Sequence, residues 1–177
     1  MNYYISDLHF GHKNVLKHDS RPFDSIEQMN KVLIANWNAK VQDKDDVWII
    51  GDFCYRSDQD PSVYLKLLKG RKHLIVGNHD KVTLSSASAL KFLESVDSIR
   101  RISDGAEEVV LCHFPLADWE AKHRGSYHVY GHIHNNVGDV YEFMKKQGRA
   151  LNAGCMINDY EPVTLDELIE NNKIHYS

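Results

Sequence analysis

Short apolar segments that each end in metal-binding side chains recur along this chain, and their order constrains the fold more than any other feature. They end in Asp7-Leu8-His9, Gly51-Asp52, Gly77-Asn78-His79-Asp80, Cys112-His113 and Gly131-His132-Ile133-His134. Each follows a run of β-branched or aromatic residues, which favours a buried β-strand. Because ligands bind beyond the carboxyl ends of strands in open α/β sheets, we expect these donors to converge. Seven donors are more than one metal ion needs, so the pattern favours two divalent ions.

The apolar pattern also predicts the elements that carry these segments. Strands are predicted at residues 3–6, 47–50, 73–76, 98–102, 108–112, 128–130 and 150–153, with a last strand near Ile174. Helices are predicted from Ser25 to about Trp37, from Pro61, from Ser86 to Glu94 and from Leu165 to Glu170. Helices that alternate with strands, followed by a strand-rich half, predict an α/β fold with two packed β-sheets flanked by helices. We expect a single domain over residues 1–177.

The overall charge of the chain limits the classes of ligand that we expect. The chain has a formal net charge of −4 and a pI near 6.2, so it lacks the basic surface with which proteins wrap nucleic acid. A long polyanion is therefore not the favoured ligand, although a metal centre attracts phosphate locally.

Cysteine content and hydropathy indicate the expected cellular location of the protein. Cys54, Cys112 and Cys155 stand far apart without a CxxC pair, which argues against a zinc ribbon or a disulfide scaffold and favours a reduced cytoplasmic location. No apolar run approaches membrane-spanning length, so no membrane partner is expected. The first strand begins near Tyr3, which we expect to leave no room for a cleaved signal. The oligomeric state is left open.

Each polar segment has a simpler interpretation when it is considered alone. Asp7 and Asp52 could be ordinary turn residues, and His113 could be a histidine of the core beside a proline kink. By contrast, His132 and His134 are two residues apart on an extended segment, so their imidazoles point to the same side and could clamp a metal. All five segments in this order favour the metal-binding interpretation.

This succession of motifs, which spans residues 7 to 134, resembles the calcineurin-like metallophosphoesterase superfamily, in particular its short single-domain bacterial and phage members. The resemblance implies an α/β fold of two packed mixed β-sheets flanked by helices. It implies that one metal ion is bound by Asp7, His9 and His134, and the other by Asn78, His113 and His132. It further implies that Asp52 bridges both ions and that His79 and Asp80 form a dyad at the leaving group.

The chemistry of phosphate esters explains these residue types. Two divalent ions would clamp the phosphoryl oxygens and supply a bridging hydroxide at neutral pH, which would attack phosphorus. His79 lies beside a ligand without being needed as one, so it is suited to protonate the leaving oxygen, and Asp80 would fix its tautomer. Mixed carboxylate, imidazole and amide ligands suit manganese first, and also iron, zinc or magnesium.

Three further side chains are candidates for substrate contact. Arg56 follows Asp52 by four residues, where related protein phosphatases carry a phosphate-binding Arg; Tyr55 and Ser57 depart from the protein-phosphatase pattern. His12 could reach the substrate or cap the next helix. Arg21 is expected on a surface loop, where it could set specificity or remain a solvated charge.

The preferred function is hydrolysis of a small phosphomonoester or phosphodiester, with a nucleotide-like compound as a reasonable substrate. A nuclease or nucleic-acid end-processing enzyme is the first alternative, which the acidic balance disfavours. A non-catalytic interaction scaffold on the same fold is the second alternative. Such a scaffold is expected to lack His79 or a metal ligand, whereas this chain retains the whole set.

Overall fold

The computed structural model describes all residues from Met1 to Ser177. Its strands are β1 (Asn2–Ile5), β2 (Asp46–Ile49), β3 (Arg71–Ile75), β4 (Leu93–Asp97), β5 (Ile99–Asp104), β6 (Glu107–Cys112), β7 (Tyr127–Tyr130) and β8 (Ala150–Asn152). Its helices are α1 (Val15–His18), α2 (Ile26–Lys40), α3 (Pro61–Leu65), α4 (Lys81–Ser85), α5 (Ala87–Leu90), α6 (Asp139–Lys145) and α7 (Leu165–His175). None of these helices is both long and apolar enough to cross a membrane.

The eight strands form two four-stranded sheets. The first has the order β1-β2-β3-β4 with parallel neighbours, and Tyr4 adds an antiparallel bridge to Val163. The second has the order β5-β6-β7-β8, in which β5 pairs antiparallel with β6 and the other neighbours are parallel. The predicted α/β fold of two sheets with flanking helices is confirmed.

Alternation along β1 shows how the layers are held together. Tyr3 and Ile5 point to the same side and pack with Met29 and Trp37 of α2. Tyr4 points to the opposite side, into a cluster that contains buried side chains of both sheets: Trp48, Ile50, Ile75, Val109, Leu111, Val129 and Leu151. Full burial of one such side chain stabilises the fold by about 1.5–3 kcal/mol. The region between the sheets is therefore apolar, and polar donors are confined to its edge.

Helix α2 shows the local signals that start an element. The Ser25 hydroxyl accepts a hydrogen bond from the Gln28 N–H, as an N-cap does. The Gln28 side chain accepts from the Asp24 N–H, one residue earlier than a regular capping box. Met29, Leu33 and Trp37 recur every four residues and bury one face, so the helix predicted from Ser25 is present and continues to Lys40.

Two of the predicted elements are wrong, one in part and one entirely. The helix predicted from Ser86 to Glu94 ends at Leu90, because residues 93–97 pair with β3 as the edge strand β4. The last strand predicted near Ile174 is absent; this residue lies in α7, which starts at a complete capping box formed by Thr164 and Glu167. Three short helices, α1, α4 and α6, were not predicted. Pairing partners and packing surfaces outweighed local propensity at these positions.

Candidate metal centre

The donor segments lie at the carboxyl ends of five strands. Asp7 follows β1, Asp52 follows β2 and Asn78 follows β3 of the first sheet. His113 follows β6 of the second sheet, and His132 follows the parallel strand β7. Because the strands within each set run in the same direction, their ends lie together. The structure brings all seven predicted donors to this one edge.

Five of these donors have a left-handed backbone conformation, which is uncommon for residues other than glycine. The φ angles are 56° for Asp7, 51° for His9, 55° for Asp52, 72° for His132 and 52° for His134. Each such residue costs on the order of 1–3 kcal/mol and persists only where the surrounding structure enforces it. Their concentration at one strand edge marks this region as a candidate functional site.

Glycine allows the strand ends to approach the donors closely. Gly51 has a φ of +84°, and a Cβ atom on it would lie 2.3 Å from Nδ1 of His113. A Cβ atom on Gly131 would lie 1.9 Å from Oγ of Ser6. Any larger residue at either position would push the donor segments apart.

We define the first group as Asp7, His9 and His134. Together with Asp52 they place one ligand atom each within 4.8 Å of one another. Nε2 of His9 lies 3.3 Å from Nε2 of His134, which lies 3.5 Å from Oδ1 of Asp7. Asp7 and His9 are almost fully buried. The burial of His9, followed by the charge of His134, lowers the pKa of His9. His9 is therefore held neutral, as metal ligation requires.

We define the second group as Asn78, His113 and His132. Oδ1 of Asn78 lies 3.0 Å from Nε2 of His113 and 2.9 Å from Nδ1 of His132. Nδ1 of His113 lies 2.8 Å from the carbonyl oxygen of Ile50, which can only accept a hydrogen bond. Nδ1 therefore donates to Ile50, and in a neutral ring Nε2 is the acceptor that faces the amide oxygen of Asn78. Two facing acceptors are the arrangement that a cation between them would satisfy.

The Asp52 carboxylate lies between the two groups. Its Oδ1 accepts a hydrogen bond of 2.8 Å from the His79 N–H. Its Oδ2 lies 3.7 Å from Nε2 of His9 in the first group and 3.6 Å from Nε2 of His113 in the second. Burial raises the pKa of Asp52, so a cation near it would offset an unfavourable buried charge. One oxygen is thus available to both groups.

Ligand spacing tests whether the residues present fit metal ions. Two atoms that bind the same ion at about 2.0–2.1 Å lie about 2.8–3.0 Å apart in octahedral geometry and about 3.3–3.4 Å apart in tetrahedral geometry. The spacings within the two groups are 2.9, 3.0, 3.3 and 3.5 Å. Carboxylate, imidazole and amide donors are also the ligand types that divalent transition metals accept. The arrangement fits metal binding.

Asp19 and Arg21 hold the first group in position through hydrogen bonds. Nδ1 of His134 donates a 2.7 Å hydrogen bond to Asp19, which leaves its Nε2 free for a ligand. The Arg21 side chain is fully buried; it donates to the backbone oxygens of Asp7 at 2.8 Å and Leu8 at 3.1 Å, and to Asp19. Arg21 was expected on a surface loop, either to set specificity or to remain a solvated charge, and that expectation is wrong. Its charge satisfies buried oxygens beneath the turn of the first group.

Asp80 also has a different role from the predicted one. Its carboxylate is completely buried and accepts hydrogen bonds from the N–H groups of Gly77 and Asp52, each at 2.8 Å, and of Phe53 at 2.9 Å. It makes no hydrogen bond to the His79 ring, so the predicted fixing of the His79 tautomer is wrong. Burial raises the pKa of Asp80, and these three donors oppose that shift. Asp80 joins the segments that present Asp52 and Asn78.

The remaining predicted residues line an open cleft of about 280 Å³ beside the first group. The half-buried His79 ring lies 4.0 Å from the Tyr55 ring. The Arg56 guanidinium lies 5.1 Å from the centre of the same ring, and His12 meets its edge at 4.9 Å. His12 and Arg56 are thus at the cleft, where either could meet a substrate.

Sequence analysis missed two residues of this site. Tyr55 was considered only as a departure from a phosphatase pattern, and Asp19 was not considered as a partner of His134. A β-strand followed by donors is a local signal, whereas these contacts join segments that are distant along the chain. No local signal could have identified Asp19.

Comparison with known proteins agrees with this geometry. Residues 3–104 match the model of a family described as calcineurin-like phosphoesterase. An uncharacterized protein of Methanocaldococcus jannaschii is 34% identical over 177 residues, which covers 97% of this chain and 93% of that protein. The Gene 66 protein of Mycobacterium phage L5 is 29% identical over 160 residues, which covers 75% of this chain and 77% of the phage protein.

A solved structure shares the whole fold. The crystal structure of a protein of unknown function from Aquifex aeolicus superposes with a TM-score of 0.76 and covers 98% of both chains. At 23% sequence identity, this likeness establishes the fold alone.

Proposed function

Because the chain belongs to the calcineurin-like phosphoesterase family, we propose that it hydrolyses a small phosphomonoester or phosphodiester with the help of two divalent metal ions. The observation that carries this proposal is the position of Asp52 between two groups of donors with metal-ligand spacing. The family match supports the reaction class. Manganese is our first choice of metal, and iron, zinc and magnesium also suit the donors.

The two groups would divide the ions between them. Asp7, His9 and His134 would hold one ion, Asn78, His113 and His132 the other, and Asp52 would contact both. When bound, the ions would neutralise the phosphoryl oxygens and supply hydroxide at neutral pH. Because Asn78 is a neutral ligand, the second group leaves more positive charge facing the substrate than a carboxylate would.

His79 is placed to assist the leaving group. Its backbone N–H is tied to Asp52, and its ring rests against Tyr55 without belonging to either donor group. The imidazole therefore faces the cleft next to the metal centre, where it can give a proton to the departing oxygen. Arg56, exposed above the Tyr55 ring, can form an ion pair with the phosphate of the substrate.

The open cleft and the charge favour a small substrate. The net charge of −4 gives little attraction for a long polyanion, whereas a single phosphate is attracted by the metal centre itself. A nucleotide-like ester is therefore our preferred substrate type, and we treat residues 1–177 as one catalytic domain.

The test is a substrate panel with defined metal content. Metal-stripped protein is reconstituted with manganese, zinc, iron or magnesium, and assayed on phosphomonoesters, phosphodiesters, cyclic nucleotides and short oligonucleotides. We expect hydrolysis of small esters that requires added metal and depends weakly on salt. Protein that holds its ions and cleaves no ester would overturn the proposal. Efficient cleavage of oligonucleotides alone, with a steep salt dependence, would instead favour a nuclease.

A further inference from the structure

A second cleft, of about 490 Å³, opens beside the second group of donors. It lies between the loop after β6, the loop after β7 and the start of α6. Its lining includes Phe114, Pro115, His132, Ile133 and Tyr141. His132 belongs both to this lining and to the second donor group. A group attached to a phosphate at the metal centre could therefore enter this cleft directly.

Phe114 is the prominent side chain of this cleft. It is 44% exposed, although large aromatic side chains are usually covered. Its ring meets the His132 ring edge to face at 4.8 Å and lies 5.1 Å from the His113 ring. An uncovered aromatic ring thus stands next to two of the three donors in the second group.

The charge of this cleft differs from that of the surface around His79. The pocket beside His79 contains Arg56 and Lys81. The Phe114 cleft is lined by no lysine or arginine; its titratable groups are His132, the Asp139 carboxylate and the Tyr141 phenol, and Asn136 adds an amide. A second negative group on the substrate would be attracted to the His79 side. An uncharged group would be favoured beside Phe114.

We propose that the Phe114 cleft is a specificity subsite for a flat, uncharged aromatic group joined to the substrate phosphate, such as a nucleobase with its sugar. The exposed face of Phe114 provides a stacking surface, and the Asn136 amide can hydrogen-bond the edge of a base. The assignment rests on the proposed phosphoesterase function, because it defines which esters that site prefers. It selects nucleoside esters over esters of small alcohols.

The experiment compares two diesters with the same p-nitrophenyl leaving group. One carries thymidine as its second ester group, and the other carries ethyl. Because stacking of a base on an aromatic side chain is worth about tenfold or more, we expect kcat/KM to favour the thymidine ester by at least about tenfold. In Phe114→Ala this ratio should fall by about tenfold, and in Phe114→Trp it should be kept. Phe143→Ala is the matched control, because Phe143 is 45% exposed on α6 outside the cleft.

Direct binding separates this proposal from the proposed function. Binding of AMP and of inorganic phosphate to the metal-loaded protein is measured by calorimetry. We expect tighter binding of AMP in the wild type and loss of that preference in Phe114→Ala. If no ester is cleaved but this preference and its loss are found, the phosphoesterase function fails and the subsite holds.

Two results would overturn the subsite. One is an unchanged ratio between the two diesters in Phe114→Ala, with both rates reduced equally, since Phe114 would then only support His113 and His132. The other is hydrolysis of both esters by the wild type without a preference for thymidine.

Discussion

The two groups of donors differ in how firmly the protein holds them. In the first group, Asp7 and His9 are 1% and 2% exposed, and His134 is oriented by Asp19. In the second group His113 is completely buried, but Asn78 and His132 are exposed. Preorganised, hydrogen-bonded ligands bind a metal more tightly than ligands that must be ordered by it. We therefore expect the first group to retain its ion more firmly.

The same difference predicts how the two groups would share the proposed function. The Phe114 cleft borders the second group at His132, and the pocket that contains Arg56 borders it at Asn78. Under the proposed function, we expect substrate in these two clefts to meet the less firmly held donors, while the buried first group stays fixed. Asp52 lies between them, so we expect both groups to depend on it.

Replacing Asp52 by Asn should have the largest effect, because it weakens both groups at once. We expect loss of one ion and a fall in kcat/KM of at least about a thousandfold, since several kcal/mol of metal-derived stabilisation depends on both ions. Elemental analysis and an assay with added manganese measure the two effects. Asp58→Asn, which changes an exposed carboxylate paired with Lys13, is the control. Two retained ions with full activity would show that Asp52 is not shared.

Replacing His79 by Asn should spare both groups and affect only the leaving group. Hydrolysis of alkyl or ribosyl esters should slow by about a hundredfold, because a basic leaving oxygen needs a proton in the transition state. A nitrophenyl ester, whose leaving group is acidic, should be slowed much less. Metal content is measured in parallel and should not change. Equal losses on both esters would indicate that His79 stabilises the phosphoryl oxygens and does not donate a proton.

Replacing Asp19 by Asn should make the first group bind its ion less tightly than the second group does. Loss of a carboxylate that orients a histidine ligand typically weakens metal affinity by about ten- to a hundredfold, and Asp19 contacts only His134 among the donors. Competition with a chelating dye measures both affinities, and thermal unfolding checks that Arg21, which loses its partner, still holds the turn. An equal weakening of both ions would contradict the separation of the groups.

Acidification should reduce the difference in metal affinity between the two groups. We expect this effect to be smaller than those of the substitutions above. Burial opposes protonation of His134, but the hydrogen bond to Asp19 and the charge of Asp7 outweigh it and raise its pKa. Partial burial and the neighbouring His113 lower the pKa of His132. Since a ligand must lose its proton to bind metal, a fall of one pH unit through the neutral range should weaken the first ion by up to about tenfold more than the second.

Dye competition at several pH values measures this difference. In Asp19→Asn the pH dependence of the first ion should shrink, because the hydrogen bond that raises the pKa of His134 is weakened. An equal pH dependence for both ions would contradict the assignment of His134 to the more proton-sensitive group.

Two arginines show that the sequence alone does not predict whether a charged residue is buried or exposed. Arg21 and Arg56 are both charged residues near donor segments, and both were candidates for substrate contact. In the structure Arg21 is buried beneath the first group, whereas Arg56 is exposed at the cleft. Their residue type is the same, and only the packing around each one decides between a structural and a functional position.

The sequence by itself determined the kinds of donors, their order and their position after strands, because periodicity and residue chemistry are local properties of the chain. That was enough to predict the fold class and the seven donors that the structure brings together. Only the tertiary structure decided which other residues contact the donor segments: Asp19 contacts His134, Asp80 contacts the Asp52 loop, and Phe114 contacts His132. These contacts join residues from different loops, and no local pattern records which loops will meet. Burial, hydrogen bonding and access to substrate were therefore decided by packing.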